Sequence, residues 1–258
     1  MNIAHNNTTK SKSIKMSANM DFNRFMIKGK LSEGSFGVVY SGIDKETGEE
    51  IVMKVCKEED MNRIESNVMK LLNRKGLKNF PKLIYNGTMP KGPGLILQRF
   101  GYTLDYYLTE REDLFSYRTT IQIGIQLISL CEEFHSIGCV HNDLKLDNIC
   151  VGLPNTGDKL VQLKLIDFGI ATSYAKKISL FRVPTNDDEH IEQVTQRFKG
   201  NYAFCSPNAL LHKSTSRRDD LISLLYILLF LSTLKVPFMD DNLDSDIRET
   251  KYKEQKLT

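Results

Sequence analysis

One stretch of eight residues, His141-Asn142-Asp143-Leu144-Lys145-Leu146-Asp147-Asn148, places a carboxylate, an ammonium and a carboxamide within a single short segment. Asp143 can orient a hydroxyl and accept its proton. Lys145 can neutralise charge growing on a transferred phosphoryl group, and Asn148 offers a carbonyl oxygen to a metal ion. Downstream, Asp167-Phe168-Gly169 follows the strand-like Leu163-Lys164-Leu165-Ile166 and adds a second carboxylate. Mg²⁺ is a hard cation that prefers such oxygens together with phosphates, so Asn148 and Asp167 form the candidate metal pair. The chemistry this set suits is phosphoryl transfer from a nucleotide. His141 is expected to hold the backbone of the segment, because the neighbouring carboxylate already serves for acid–base work.

Two upstream features fit the same chemistry. Leu31-Ser32-Glu33-Gly34-Ser35-Phe36-Gly37-Val38 lies between two predicted strands. Glycines there let the backbone approach phosphates and turn N–H groups toward an anion. The alternative is a plain flexible hairpin, since short glycine motifs recur by chance. Lys54 ends an alternating strand, on the same side as Val52, and can reach the phosphates under such a loop. Glu65, on the following helix, can pair with it and fix its direction. The alternative for these two is a pair of ordinary surface charges.

The elements that must position these groups are legible in outline. Residues 1 to about 20 are rich in Asn, Ser, Thr and Lys and are expected to be a disordered tail, taken as 1–24. Val38-Val39-Tyr40 and Ile51 to Val55 read as antiparallel strands joined through a turn at 44–49. Ile64, Val68, Leu71 and Leu72 recur at helical spacing over 62–72. Leu83-Ile84-Tyr85 and Leu95-Ile96-Leu97 read as two more strands, with Gly92-Pro93-Gly94 as the turn between them and 98–101 as a connector. Beyond it the pattern is mainly helical. Ser116 caps a long helix with Ile121, Ile125 and Ile128 as its stripe, ending near 135–138. Residues 170–207 hold no sustained period, which marks a functional or mobile segment. The apolar run Leu221 to Leu231 is too short to span a bilayer and is expected to be a buried core helix. The expected class is therefore α+β in two lobes.

Composition narrows the partners. The 258 residues hold 35 Lys+Arg against 32 Asp+Glu, a net +3, too mild to argue for nucleic acid. Cys56, Cys131, Cys139, Cys150 and Cys205 are odd in number and have no CxxC pair. A disulfide framework and a structural zinc site are not expected, and a reducing intracellular compartment fits, cytoplasmic or nuclear. The polar N-terminus lacks the apolar core of a secretory signal. No membrane partner is expected.

These motifs in this order resemble the protein kinase superfamily. Within it, the chain more closely resembles the casein kinase 1 family in Arg63-Ile64-Glu65-Ser66, in Phe100-Gly101-Tyr102-Thr103-Leu104 and above all in Ser216-Arg217-Arg218-Asp219-Asp220-Leu221-Ile222-Ser223-Leu224. The resemblance implies a kinase domain over 25–258, with an N-lobe to about 97, a hinge at 98–101 and a C-lobe from 102. It implies ATP in the cleft with Mg²⁺, against Leu31, Ser32, Glu33, Gly34, Ser35, Phe36, Gly37, Val39 and Lys54. Leu97 would be the gatekeeper, and Gln98 to Phe100 the hinge that bonds the adenine. Asp220 would tie down the backbone of the catalytic loop. The implied substrates are protein Ser/Thr hydroxyls, often in acidic or phosphorylated surroundings, and the implied state is a monomer that needs no activation-loop phosphate.

The departures from the pattern carry expectations of their own. Ser32 replaces the first loop glycine. Asn142 replaces the arginine that pairs with an activation-segment phosphate, which argues against switching by that route. Ser206-Pro207-Asn208 replaces Ser-Ile-Asn, and Asn201 replaces a threonine that contacts the catalytic aspartate and lysine. Ala203 replaces an anion-binding arginine, so preference for phosphorylated substrates is not expected to carry over, although Lys213, Arg217 and Arg218 could compensate in part. The family continues for several helices beyond residue 258, so a short form or a fragment with an uncovered apolar surface is expected. Two other readings stand beside an active kinase: a nucleotide-binding pseudokinase or scaffold, and a small-molecule phosphotransferase using a similar loop.

Overall fold

Alternation of apolar and polar residues through the first third of the chain builds an antiparallel sheet. The computed structural model describes residues 24–34, 36–110, 115–153, 161–174, 200–236 and 254. Strands β1 (Phe25–Gly34), β2 (Gly37–Asp44), β3 (Glu50–Cys56), β4 (Leu83–Met89) and β5 (Gly92–Gln98) lie in the order β1-β2-β3-β5-β4. Helix α1 (Glu59–Arg74) follows β3 and covers one face. Because strand side chains alternate in direction, Leu95 and Leu97 join Val68, Met69 and Leu72 of α1 in the main core, while Ile96 packs with Phe25, Ile51 and Val55 on the opposite face.

This register decides where the chemistry goes. Lys54 pairs directly with Leu95, and Val52 with Leu97. Directly opposed residues share a face, so Lys54 projects toward α1 together with the apolar pair.

A second unit follows, mostly helical: α2 (Leu104–Thr109), α3 (Tyr117–His135), the short strands β6 (Cys139–Val140), β7 (Ile149–Val151), β8 (Leu163–Leu165) and β9 (Thr172–Ser173), then α4 (Pro207–Leu210) and α5 (Arg217–Thr233). β6 pairs with β9, and β7 with β8. The two-lobed α+β architecture expected from the sequence is present. Ser116 caps α3 as expected, accepting from the Thr119 N–H.

Four expectations need correction. Gly92-Pro93-Gly94 is not a turn but the start of β5, paired with Thr88 and its neighbours on β4. Pro93 is tolerated because pairing with β3 ends at Val55 opposite Gly94, so the missing N–H falls outside that ladder. Gln98 likewise belongs to β5, paired with Ile51, so the connector between the lobes begins at Arg99. In α3 the stripe Ile121, Ile125 and Ile128 faces outward, with Ile125 61% exposed, while Ile123, Leu127, Leu130 and Phe134 line the core. In α5 only Leu224, Ile227 and Leu231 are buried among the leucines and isoleucines, whereas Leu225 is 61% exposed. No helix among the described residues is long and apolar enough to cross a membrane. Of the expected tail, residues 1–23 and their Ser/Thr positions lie outside the described residues. Arg24 is ordered and bonds Asp44 through Nε at 2.9 Å.

Candidate active site

The register that turns Lys54 toward α1 brings it to Glu65, which α1 presents from its buried face. Lys54 Nζ lies 2.7 Å from Glu65 Oε2 and 2.7 Å from Asp167 Oδ1. The expected Lys54–Glu65 pair is therefore present, and Asp167 is a third member that the sequence did not announce. Burial alone would push the Lys54 ammonium down, but the charges of Asp167 and Glu65 together hold it above the usual lysine range. Glu65 is pushed up by burial and by the charge of Asp167, despite Lys54. Asp167 is the reverse case: burial would raise it, yet the Lys54 ammonium and the Gly169 N–H hold it below the usual carboxylate range.

Asp167 sits at φ 64°, a left-handed conformation that Asp tolerates better than most residues. Phe168 is fully buried and stacks on Phe134, with Phe80 and His141 at its other edges. This ring cluster anchors the short Asp-Phe-Gly turn between the two lobes.

The catalytic-loop candidates converge below. Lys145 Nζ is 3.0 Å from Asp143 Oδ2, and Asn148 Nδ2 donates to the same oxygen at 3.1 Å and to the Asp143 carbonyl at 2.8 Å. Asp143 Oδ1 is buried with no hydrogen-bond partner among the described residues. Lys145 also lies 5.6 Å from the Phe36 ring centroid, so the tip of the glycine loop folds down over this group. That contact had no sequence signal, because it joins residues more than a hundred positions apart.

The backbone of the loop is fixed from beneath. Asp220, near the start of α5, accepts from the His141 N–H at 2.8 Å and the Asn142 N–H at 3.0 Å, as the family resemblance implied. It also bonds His135 Nε2 at 2.8 Å. His141 has the structural part expected of it: its Nε2 meets the Ile166 carbonyl at 3.1 Å, and its Nδ1 accepts from the Asp143 N–H at 3.2 Å. Beside Asp220, Asp219 closes a capping box with Ser216 and accepts from the Ser206 hydroxyl at 2.7 Å and the Asn208 amide at 3.0 Å. Ser206-Pro207-Asn208 is thereby joined to α5 by neutral donors, a role that the sequence did not reveal.

The remaining candidates divide. Leu97 is buried at the inner end of β5, and Phe100 is buried just after it. Val39 is half-buried opposite Lys54 in the β2–β3 ladder. Leu31, Ser32, Glu33 and Gly34 lie on the exposed end of β1, where Lys57 Nζ holds the Gly34 carbonyl at 2.7 Å and a Cβ on Gly34 would meet open space. Gly37, at φ 152°, is needed because a Cβ would strike the Val55 carbonyl. Ser35 lies outside the described residues. The side chain of Gln98 is exposed and bonds back to Lys82 of its own lobe. Asn201 accepts from the Ala203 and Phe204 N–H groups at 2.7 and 3.2 Å, which caps its own turn.

The arrangement fits a nucleotide held with a divalent cation. Lys54 and Gly169 both address Asp167 Oδ1, which leaves Oδ2 as a ligand atom. The Asn148 amide nitrogen is committed to Asp143, which leaves its carbonyl oxygen. Among the described residues no group of three or more His, Cys, Asp or Glu could hold a metal ion. One carboxylate and one carboxamide suit a Mg²⁺ that takes its other ligands from phosphates and water. In comparison with known families, the model described as "Protein kinase domain" matches residues 25–257.

Proposed function

The chain belongs to the protein kinase family, and on that premise we propose that it is an ATP-dependent serine/threonine kinase of the casein kinase 1 type. The observation that carries the proposal is Asp143: Lys145 and Asn148 occupy Oδ2, while Oδ1 is left buried and unpaired among the described residues. A buried carboxylate oxygen without a donor is costly, and a substrate hydroxyl would satisfy it. Asp143 then orients the hydroxyl and takes its proton. Lys145 faces the developing charge from the same side. Lys54, held between Glu65 and Asp167, is aimed at the nucleotide phosphates, and Asp167 Oδ2 with the Asn148 carbonyl oxygen would hold Mg²⁺. Bound Mg²⁺ neutralises phosphate charge in the transition state.

Leu97 borders the adenine region and Phe100 the hinge, while Leu31 to Gly34, Phe36, Gly37 and Val39 roof the nucleotide. The preferred substrates are Ser/Thr hydroxyls of proteins in acidic surroundings, with no dependence on prior phosphorylation, because Ala203 cannot bind a phosphate. The enzyme acts as a monomer inside the cell. In support of that location, all five cysteines are buried and free, and burial pushes the thiols of Cys56, Cys139 and Cys150 up to about 12.

The test is transfer of radiolabelled γ-phosphate to casein, with phosphoamino-acid analysis of the product. Label on Ser or Thr is expected, and Asp143→Asn should lower kcat on the order of 10³-fold with the fold intact. ATP binding without transfer by the unsubstituted protein would favour the pseudokinase or scaffold reading instead.

A further inference from the structure

Asn142 lies between the two halves of the catalytic machinery and touches both. Its backbone is at φ 66°, where asparagine is among the better-tolerated residues. Its N–H is fixed by Asp220, and its side-chain Nδ2 donates to the Ile170 carbonyl at 3.1 Å and to Thr172 Oγ1 at 2.9 Å. Thr172 in turn lies 3.5 Å from the Thr215 hydroxyl, just ahead of α5. Asn142 directly precedes Asp143, while Ile170 and Thr172 lie within three residues after Asp167-Phe168-Gly169. One carboxamide thus joins the loop that carries the base to the segment that follows the metal-side carboxylate.

Building on the kinase reading above, we propose that Asn142 is a positioning residue. Its carboxamide clamps the start of the segment after Asp167 onto the catalytic loop, and so replaces the arginine–phosphate pair that the kinase pattern would use at this position. The amide orientation is set by chemistry, since a flipped group would set Oδ1 against the Ile170 carbonyl. The bonds are between neutral groups and need no phosphate. Neighbouring contacts point the same way: Val140 pairs with Thr172, the Tyr174 N–H bonds the Gly138 carbonyl at 3.1 Å, and the Tyr174 hydroxyl bonds the His135 carbonyl at 2.6 Å. The start of the segment is therefore seated on β6 and α3 by hydrogen bonds within residues 135–174.

The experiment uses phosphatase-treated full chain, two readouts and three variants. Asn142→Asp keeps size and left-handed tolerance but turns a charged oxygen toward the Ile170 carbonyl. Thr172→Val removes the second acceptor, and Thr172→Ser restores it. The unsubstituted protein should retain phosphate transfer after phosphatase treatment. Asn142→Asp should lower kcat about tenfold, the rate equivalent of about 1.4 kcal/mol, with KM for ATP unchanged. Thr172→Val should cost about threefold alone and little more in the Asn142→Asp background, because the two share one bond. Thr172→Ser should be close to unsubstituted. Loss of transfer on phosphatase treatment, or an unchanged kcat in both Asn142→Asp and Thr172→Val, would overturn the clamp. If the unsubstituted protein transfers no phosphate at all, the kinase reading fails, and amide hydrogen exchange still decides the clamp. Asn142→Asp must then speed exchange at Thr172 and Tyr174 about tenfold or more, and unchanged exchange sinks it.

Discussion

The two lobes deliver their halves of the site by different physical means. The sheet-and-α1 half offers one ammonium, Lys54, held by two carboxylates. The helical half offers a loop whose backbone donors end on buried acceptors, Asp220 above all. A charge cluster depends on who is ionised and can reorganise when one member changes its proton. A loop anchored through buried N–H groups cannot shift without leaving those donors unpaired, at about 1–3 kcal/mol each. The first half is therefore the adjustable one, and the second is the fixed platform against which it works.

Asp220→Ala tests the platform and should have the largest effect. It removes the acceptor for His135 Nε2, the His141 N–H and the Asn142 N–H at a fully buried position. Stability to urea should fall by about 4 kcal/mol, and activity should be lost with it. A loss under about 1 kcal/mol would mean that the loop is held by something else.

Lys54→Met tests the adjustable half, and the balance should reverse. Glu65 is already pushed up by burial and by Asp167, so it takes a proton when the ammonium is gone. Stability should then fall by only about 1–2 kcal/mol, while transfer falls on the order of 10²-fold or more. If stability fell as far as in Asp220→Ala, the contrast between the halves would collapse.

Glu65→Gln is gentler and has a pH signature. The Glu65 carboxyl is raised in the folded state, so its stabilising proton is fully bound below the ordinary carboxyl range and lost as pH rises through the raised value. Asp167 is lowered, so its contribution is present above the ordinary range and lost as pH falls through its folded value. As pH falls from 7 toward the ordinary carboxyl range the unsubstituted protein should therefore gain stability, and Glu65→Gln should gain less. At pH 7 the variant should be within about 1 kcal/mol of the parent, with kcat/KM down about tenfold as Lys54 loses one of its two guides. Denaturant titrations at the two ends of that interval would read the difference.

What could be read from the sequence follows the same division. Asp143, Lys145, Asn148 and Asp167 were legible because their spacing within contiguous segments is itself the signal. The Lys54–Glu65 pair was legible because a strand followed by a helix fixes which faces meet. The Lys54–Asp167 contact, the Asn142 clamp and the Asp219 bonds to Ser206 and Asn208 were not, because each joins residues that only the fold brings together. Gly92-Pro93-Gly94 misled because turn chemistry yields to ladder pairing at the start of a strand. α5 misled because a helix apolar on nearly every side has no period to reveal its buried face.

The outward stripe of α3 gives the smallest expected effect, at the base of the fixed half. The helix's two apolar stripes, Ile121/Ile125/Ile128 and Ile123/Leu127/Leu130/Phe134, both satisfy helical spacing, and periodicity alone cannot rank them. Packing ranks them: Gly124 and Leu127 belong to the face that meets α5 and the core, where Leu228 would touch a Cβ on Gly124, while Ile125 points away. Leu127→Ala should therefore cost about 3 kcal/mol through the cavity it leaves. Ile125→Lys should change stability by no more than about 0.5 kcal/mol and leave phosphate transfer as it was. Urea titrations of the pair decide the matter, because equal losses would place Ile125 against a packed surface and require the outward stripe to be part of the platform.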